Sequence, residues 1–152
     1  MERISRDQML MEMAWTVSKR STCLRLNVGA LVAREGRIIS SGYNGSPSGL
    51  PHCNHTNCGP GHPCTRTVHA EAGAISFAAR HGLALGRSSL YCTNSPCEEC
   101  SKLIINSGII EVVYQIPYRK TEGVDLLRSA KVLVRQWEPN LVHRDASDKS
   151  TW

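Results

Sequence analysis

The sequence predicts an α/β domain in which helices cover both faces of a largely parallel β-sheet. The chain has 152 residues, which is the usual size of one domain. Hydrophobic residues make up 41% of the chain and charged residues 20%, a composition typical of globular proteins and not of disordered ones. After residue 68, runs typical of strands alternate with runs typical of helices, and this alternation indicates parallel strands joined by helical crossovers.

A helix is predicted first, over residues 5–20. Ser5 and Gln8 form the S-x-x-Q pattern of a capping box, in which the serine hydroxyl accepts a backbone hydrogen bond three residues further on. Apolar residues then recur every four positions, which would place them on one face of the helix. We expect this stripe to pack in the core, and it consists of Met9, Met13 and Val17.

A hairpin and a long loop follow the first helix. The β-rich runs 28–34 and 37–42 flank a Glu35-Gly36 turn, and two such runs around a two-residue turn predict a hairpin. Residues 43–67 are rich in glycine and proline and show neither helix nor strand periodicity. Loops longer than about 12–15 residues are usually functional or disordered. Because this one contains three cysteines and three histidines, we expect it to fold around a metal.

The remainder of the domain alternates between strands and helices. Residues 69–82 are rich in alanine and end in glycine, as helices often do. In the segment Ser95-Pro96-Cys97-Glu98, a serine before proline and an acidic residue predicts a helix start with Ser95 as the N-cap. The predicted helices are 69–82, 95–108 and 121–130, and the predicted strands are 88–94, 111–117 and 131–137.

One domain without a membrane segment is expected. Residues 5–137 form this domain, and residues 138–152 form a polar C-terminal tail. No apolar run approaches the ~18 residues needed to cross a bilayer, and the N-terminus has charges where a signal peptide would be apolar. We therefore expect a cytoplasmic protein. Its net charge of +5 suits a phosphate-bearing partner but is not specific for one.

Seven cysteines are the unusual feature of the composition. An odd number cannot all form disulfides within one chain, and thiols stay reduced in proteins that are not secreted. Five of the six histidines lie between residues 52 and 81, close to three of the cysteines. Clustered cysteine and histidine in a reducing setting indicate metal binding.

The strongest metal motif lies at two predicted helix starts. His69 opens one helix, and Cys97 and Cys100 share one face of the first turn of the next. One histidine and two cysteines leave a fourth tetrahedral position open, which is the pattern of a catalytic zinc. Glu71 could sit beside the metal and accept a proton from a water that the metal activates. A lone C-x-x-C could instead be a redox pair or half of a structural site, but H-x-E followed by P-C-x-x-C is the signature of zinc nucleobase deaminases.

Further segments narrow this pattern to one family. They are STCLRLNVGA (21–30), SGYNGSPSG (41–49), CTRTVHAEAGAI (64–75) and NSPCEECSKLIINSGI (94–109). With these segments, most of residues 5–137 resembles the deoxycytidylate (dCMP) deaminases of the cytidine deaminase-like superfamily. The resemblance implies a three-layer αβα sandwich with a five-stranded mixed sheet. It also implies zinc-dependent deamination of dCMP to dUMP and ammonia, which supplies dUMP for thymidylate synthesis.

The same resemblance assigns roles to single residues. It makes His69, Cys97 and Cys100 the ligands of the catalytic zinc, and it makes Glu71 the proton shuttle. The residues that it places at the substrate are Asn44, Ala70, Ser95 and Tyr118. Asn44 would contact the sugar, although it could simply serve a turn, and Ser95 could do no more than cap its helix.

Regulation and assembly are implied by the resemblance as well. Similar family members are homohexamers that dCTP activates and dTTP inhibits. The segment Tyr43, Asn44 and Gly45 is implicated in binding these nucleotides. The substrate phosphate would need a cation, for which the candidates are Arg25, Arg66, Arg119 and Lys120.

A second, structural zinc is also expected. Four thiols make a closed tetrahedral site, and some relatives hold a second zinc at the corresponding segments. The ligands that the resemblance suggests are Cys23, Cys53, Cys58 and Cys64, and a nearby histidine (His52, His55 or His62) could replace one of them. The alternative is four free thiols. Cys92 falls in a predicted buried strand and is expected to be a core residue.

Other functions share parts of this pattern. The same chemistry could act on modified dCMP, on dCTP or on a base within nucleic acid, and a zinc site could also serve only for binding or assembly. Aromatic residues make up only 5% of the chain and no long basic stripe is present, so we expect no nucleic-acid partner. A structural zinc would have no use for Glu71, which favours an enzyme.

Overall fold

The structure is a computed structural model that describes residues 3–54 and 64–139. In this part of the chain, helices and strands follow one another in the predicted order. They are α1 (Arg6–Ser18), β1 (Gly29–Arg34), β2 (Arg37–Tyr43), α2 (Ala70–Arg80), β3 (Ser89–Asn94), α3 (Glu98–Asn106), β4 (Glu111–Ile116), α4 (Glu122–Ser129) and β5 (Leu133–Gln136). None of the described helices is long and apolar enough to cross a membrane.

The five strands form one mixed sheet in the order β2-β1-β3-β4-β5. Strands β3, β4 and β5 are parallel, since helices α3 and α4 return the chain across the sheet between them. Strand β1 is antiparallel to both β2 and β3. The turn between β1 and β2 is the predicted two-residue turn, and both Glu35 and Gly36 adopt positive φ there. The predicted α/β class and five-stranded mixed sheet are confirmed.

Helices cover both faces of the sheet and create two cores. Of the described helices, only α1 packs on one face, where Leu10, Met11 and Ala14 contact side chains of β1, β3 and β4. Helices α2, α3 and α4 cover the other face over a larger apolar cluster that includes the fully buried Cys92. The chain is therefore a three-layer αβα sandwich, and Cys92 lies in the core as expected.

The details of helix α1 correct one prediction. Ser5 is the N-cap, and its Oγ accepts the Gln8 backbone N–H at 3.1 Å. The fully buried stripe that faces the sheet, however, is Leu10, Met11 and Ala14. Of the predicted stripe, Met9 and Val17 pack partly against this core, whereas Met13 is 41% exposed. Two apolar stripes lie side by side on this helix, and the docking of α1 on the sheet decides which of them is buried.

Polar contacts fix where α1 docks. Asp7 in its first turn accepts hydrogen bonds from the Tyr91 hydroxyl at 2.7 Å and from two Arg135 nitrogens at 2.7 and 3.0 Å. Arg135 also donates to Glu111 at 2.7 Å. Burial and the adjacent Asp7 carboxylate raise the pKa of Tyr91, so its hydroxyl stays protonated and donates. Strands β3, β4 and β5 are thereby tied to the start of α1.

Two glycines permit close backbone packing at the starts of α2 and α3. A Cβ at Gly42 would lie 2.2 Å from the carbonyl oxygen of Ala70, and a Cβ at Gly123 would lie 2.3 Å from that of Pro96. Strand β2 and helix α4 therefore press directly on the two helix starts where the metal motif lies. A side chain at either position would displace a helix start.

Candidate metal centre and active site

The two helix starts bring His69, Cys97 and Cys100 together. His69 and Cys97 are the N-cap residues of α2 and α3, and Cys100 lies in the first turn of α3. The His69 Nδ1 atom is 3.4 Å from Cys97 Sγ and 3.5 Å from Cys100 Sγ. All three donor atoms lie within 4.8 Å of one another, and no other group of three or more such donors does so in the described part of the chain.

These donors fit a zinc ion. Zinc–sulfur bonds of about 2.3 Å and zinc–nitrogen bonds of about 2.0–2.1 Å separate sulfur from nitrogen by about 3.6 Å in a tetrahedral site, close to the separations here. Hydrogen bonds from Cys100 and His69 lower the pKa of Cys97 to about 3, and the positive end of α3 also favours a thiolate. A thiolate, a second thiol and an imidazole supply three ligands and leave one position open.

Glu71 is a buried carboxyl group beside this centre. It lies in the first turn of α2, is 4% exposed and does not belong to the donor cluster. Burial raises its pKa, because a carboxylate loses its hydration there. A carboxyl group that readily holds a proton next to a metal centre can transfer protons to and from a bound reactant.

A cavity of about 270 Å³ opens onto the metal centre. Its lining includes the candidate metal ligands His69 and Cys97 together with Glu71. The residues predicted to contact the substrate also line it, and they are Asn44, Ala70, Ser95 and Tyr118. The structure thus gathers these residues from four separate segments around one space, and their individual roles stay predictions.

The Asn44 side chain has a structural task as well. Its Nδ2 donates to the carbonyl oxygen of Leu26 at 2.7 Å, and its Oδ1 accepts the N–H of Val28 at 2.8 Å. Both ends of the amide therefore hold the segment before β1, which forms one wall of the cavity. Asn44 shapes the cavity in addition to facing it.

Ser95 does not cap helix α3, contrary to the prediction. The N-cap is Cys97, whose side chain makes no capping hydrogen bond, and the helix begins at Glu98. The Ser95 Oγ instead accepts the backbone N–H of Tyr118 at 2.7 Å, and the Ser95 N–H donates to Ile116 at 2.9 Å. Ser95 therefore links the metal-binding segment to the loop after β4, a contact that tertiary structure alone creates.

The Ser95→Ala variant is expected to release the backbone amide of Tyr118. A buried hydrogen bond contributes about 0.5–1.5 kcal/mol, so we expect hydrogen exchange at this amide to become about 2- to 10-fold faster. Peptide-resolved exchange mass spectrometry measures the change. Ser88→Ala is the matched control, because it removes a buried hydroxyl at the opposite end of β3, where Ser88 contacts Leu85. Equal exchange in Ser95→Ala and wild type would show that this bond does not protect the loop.

Most of the segment predicted to bind regulatory nucleotides makes contacts within the fold. Gly45 exchanges two backbone hydrogen bonds with Val68, at 2.8 and 3.1 Å, and a Cβ there would lie 2.6 Å from Thr22 Oγ1. Asn44 is buried, and only Tyr43 is substantially exposed, at 40%. These contacts position the segment at the cavity wall.

Three of the four cysteines predicted to bind the second zinc, Cys23, Cys53 and Cys64, lie among the described residues. The Sγ atoms of Cys53 and Cys64 are 3.6 Å apart, close to the roughly 3.8 Å that a tetrahedral zinc with two thiolates requires. Cys64 also contacts Thr67 Oγ1 at 3.1 Å, and Cys23 lines the cavity together with Cys64. His52 is exposed. Cys58, His55 and His62 lie outside the described residues.

Sequence motifs did not single out every residue of the cavity. Thr67 and Asn94 line it. They lie within the family-like segments 64–75 and 94–109, but outside the H-x-E and C-x-x-C patterns, and no prediction assigns either a role. Of the candidate phosphate ligands, Arg25 lines the cavity, whereas Arg66 donates to the carbonyl oxygen of Pro51 at 3.3 Å. The remaining candidates, Arg119 and Lys120, are exposed and directly follow Tyr118.

Comparisons with known proteins agree with this geometry. The family model of the cytidine and deoxycytidylate deaminase zinc-binding region matches residues 4–116. ComE operon protein 2 of Bacillus subtilis is 40% identical over 140 residues, which cover 91% of this chain and 74% of that protein. The deoxycytidylate deaminase of Saccharomyces cerevisiae is 37% identical over 92% of this chain, which spans about half (48%) of the yeast protein.

A solved structure extends the similarity to three dimensions. The dCMP deaminase of the cyanophage S-TIM5, crystallised in complex with dCMP and dUMP, matches with a TM-score of 0.81 and 34% identity. The match covers 90% of this chain and all of the phage chain. The fold is thus that of a solved dCMP deaminase.

Proposed function

Since the chain belongs to the cytidine and deoxycytidylate deaminase zinc-binding family, we propose that it catalyses the zinc-dependent hydrolytic deamination of dCMP to dUMP and ammonia. This activity would supply dUMP for thymidylate synthesis. The observation that supports it best is a buried carboxyl group, Glu71, in one cavity with a three-donor zinc centre. None of the described cysteines forms a disulfide, which suits a reducing compartment such as the cytoplasm.

The roles of this chain's residues follow from their positions. His69, Cys97 and Cys100 would hold the zinc, which when bound lowers the pKa of a coordinated water toward ~7 and stabilises negative charge on oxygen. Glu71 accepts a proton from the attacking water and delivers it to ring nitrogen 3. It then takes the remaining proton of the hydroxyl that the water has added to carbon 4 and passes it to the exocyclic amine. The bond between carbon 4 and the amine breaks, ammonia leaves, and a carbonyl group remains at carbon 4.

The choice of substrate can be tested directly. Ammonia release from dCMP, dCTP, CMP and deoxycytidine should be greatest, as kcat/KM, for dCMP. A preference for dCTP or for a 5-substituted dCMP would keep the chemistry and change the substrate. Zinc-loaded protein that releases no ammonia from any of these nucleotides would contradict the proposed function and favour a zinc module for binding or assembly.

We also propose a second, structural zinc held by Cys23, Cys53, Cys58 and Cys64. The short separation of Cys53 and Cys64 supports it, and a loop with little apolar surface would gain stability from the metal. Wild-type protein should then contain two zinc ions per chain. Cys53→Ala and Cys64→Ala should each reduce the content to about one ion and lower Tm, as measured by metal analysis and thermal unfolding. A wild-type content of one ion would contradict this site.

Regulation by nucleotides is a further part of the proposal. Subunits arranged as a homohexamer would let dCTP favour, and dTTP oppose, an active packing, with the Tyr43, Asn44 and Gly45 segment near the regulatory site. We expect dCTP to shift the dCMP saturation curve to lower concentrations and dTTP to reverse the shift. The measurement uses protein whose oligomeric state is established by light scattering. Hyperbolic curves that neither nucleotide moves would exclude this regulation and leave the deaminase proposal intact.

A further inference from the structure

Asn94 is a buried polar residue in the lining of the cavity. It is the last residue of β3, is 8% exposed and lines the cavity with Ala70 and Glu71. It lies three residues before the metal ligand Cys97, but no metal motif includes it. Its role therefore follows from its position in the fold.

A hydrogen-bond chain fixes the orientation of the Asn94 amide. The backbone N–H of Gly29 can only donate, and it donates to Thr93 Oγ1 at 3.3 Å. The Thr93 hydroxyl can then use its own proton toward Asn94 Oδ1, which lies 3.0 Å away. Because this direction assigns Oδ1 as the acceptor, the other end of the amide is the NH₂ group. Within the described part of the chain, that NH₂ group makes no hydrogen bond.

The cavity thus offers an oriented donor among the buried residues of its lining. Under the proposed function, the ring contacts Glu71, which is buried and lines the same cavity as Asn94. A nucleotide phosphate suits Arg25, which is exposed and also lines the cavity. Cytosine has two ring acceptors, nitrogen 3 and the carbonyl oxygen on carbon 2. Glu71 serves nitrogen 3, which leaves that carbonyl oxygen for a donor.

We propose that Asn94 is a specificity-determining residue whose NH₂ group donates a hydrogen bond to the carbonyl oxygen on carbon 2 of the pyrimidine. The inference rests on the proposed function, since Glu71 defines where the ring lies. The NH₂ group of Asn94 selects nucleotides whose pyrimidine has an oxygen on carbon 2, which both the cytosine substrate and the uracil product have. A ring without an acceptor at carbon 2 would leave the buried amide without a partner, which binding disfavours.

Two variants separate this role from a structural one. Asn94→Asp keeps the size of the side chain and an acceptor for Thr93 but replaces the donor with an acceptor. Asn94→Ala removes both the donor NH₂ group and the acceptor oxygen. We expect each to weaken binding of dUMP to the zinc-loaded protein about 5- to 150-fold, as measured by calorimetry, with zinc content unchanged. We expect kcat/KM for dCMP to fall by a similar factor, and Tm to change little in Asn94→Asp.

A modified substrate tests which atom is contacted. Sulfur is a weak acceptor, so the 2-thio analogue of dCMP should be a poorer substrate than dCMP for wild type. In Asn94→Ala, kcat/KM for dCMP and for its 2-thio analogue should be nearly equal. The inference would be overturned if sulfur lowered kcat/KM by the same factor in wild type and Asn94→Ala. Unchanged dUMP binding in Asn94→Asp would also overturn it.

The inference and the proposed function fail in different ways. A wild-type protein that binds dUMP through Asn94 but does not deaminate dCMP would contradict only the proposed activity. A wild-type protein that deaminates dCMP while both Asn94 variants bind dUMP normally would contradict only the role of Asn94.

Discussion

Replacing Glu71 with alanine or glutamine is expected to lower kcat for dCMP by about 10²–10⁴-fold, the contribution usual for general acid–base catalysis. Neither side chain can accept and release the protons that the reaction moves. Zinc content should stay unchanged, because Glu71 is not among the three clustered donors. Steady-state kinetics and metal analysis of the same folded sample give both results.

Glu122→Gln is a suitable control for this prediction. Glu122, like Glu71, is an acidic residue in the first turn of a helix, but it is exposed and does not line the cavity. The kcat of the Glu122→Gln variant should stay within about twofold of wild type, since an isolated surface charge outside the cavity contributes little to the energy of the protein. Loss of zinc from Glu71→Gln, or wild-type turnover in that variant, would show that Glu71 is not the proton carrier.

Replacing Cys97 with alanine is expected to remove the catalytic zinc and with it all measurable turnover. Cys97 is the donor whose thiolate is most favoured, and only His69 and Cys100 would remain. Two protein ligands bind zinc much more weakly than three, and zinc binding through thiolates contributes many kcal/mol. Metal analysis after dialysis against a weak chelator, together with the ammonia assay, checks both effects.

Cys92→Ala is the matched control for the loss of a thiol. Cys92 is five residues earlier, is fully buried in the core and is no member of the donor cluster. That variant should be less stable, by roughly 1 kcal/mol for a small cavity, but should keep its zinc and its turnover. Full zinc content in Cys97→Ala would contradict the assignment of Cys97 as a ligand.

Local sequence patterns determined the elements and the metal motif. The capping pattern at Ser5, the turn at Glu35-Gly36 and the alternation of strands with helices depend on residues a few positions apart, and each correctly predicted a local structure. The H-x-E and C-x-x-C spacings likewise predicted helix starts as the positions of His69 and Cys97. Such features could be predicted because hydrogen bonds and side-chain spacing within one element generate them.

Tertiary structure alone decided the features that join distant segments. Helix α1 carries two adjacent apolar stripes, and only the ion pairs of Asp7 with Arg135 and the packing on the sheet select Leu10 over Met13 for burial. Ser95 carries a local capping pattern, yet its hydroxyl meets the Tyr118 amide from the next crossover. The donor end of Asn94 is defined by Thr93 and by Gly29 on a neighbouring strand. In each case the deciding partner is far away in the chain, so the energy of the contact exists only once the sheet has assembled.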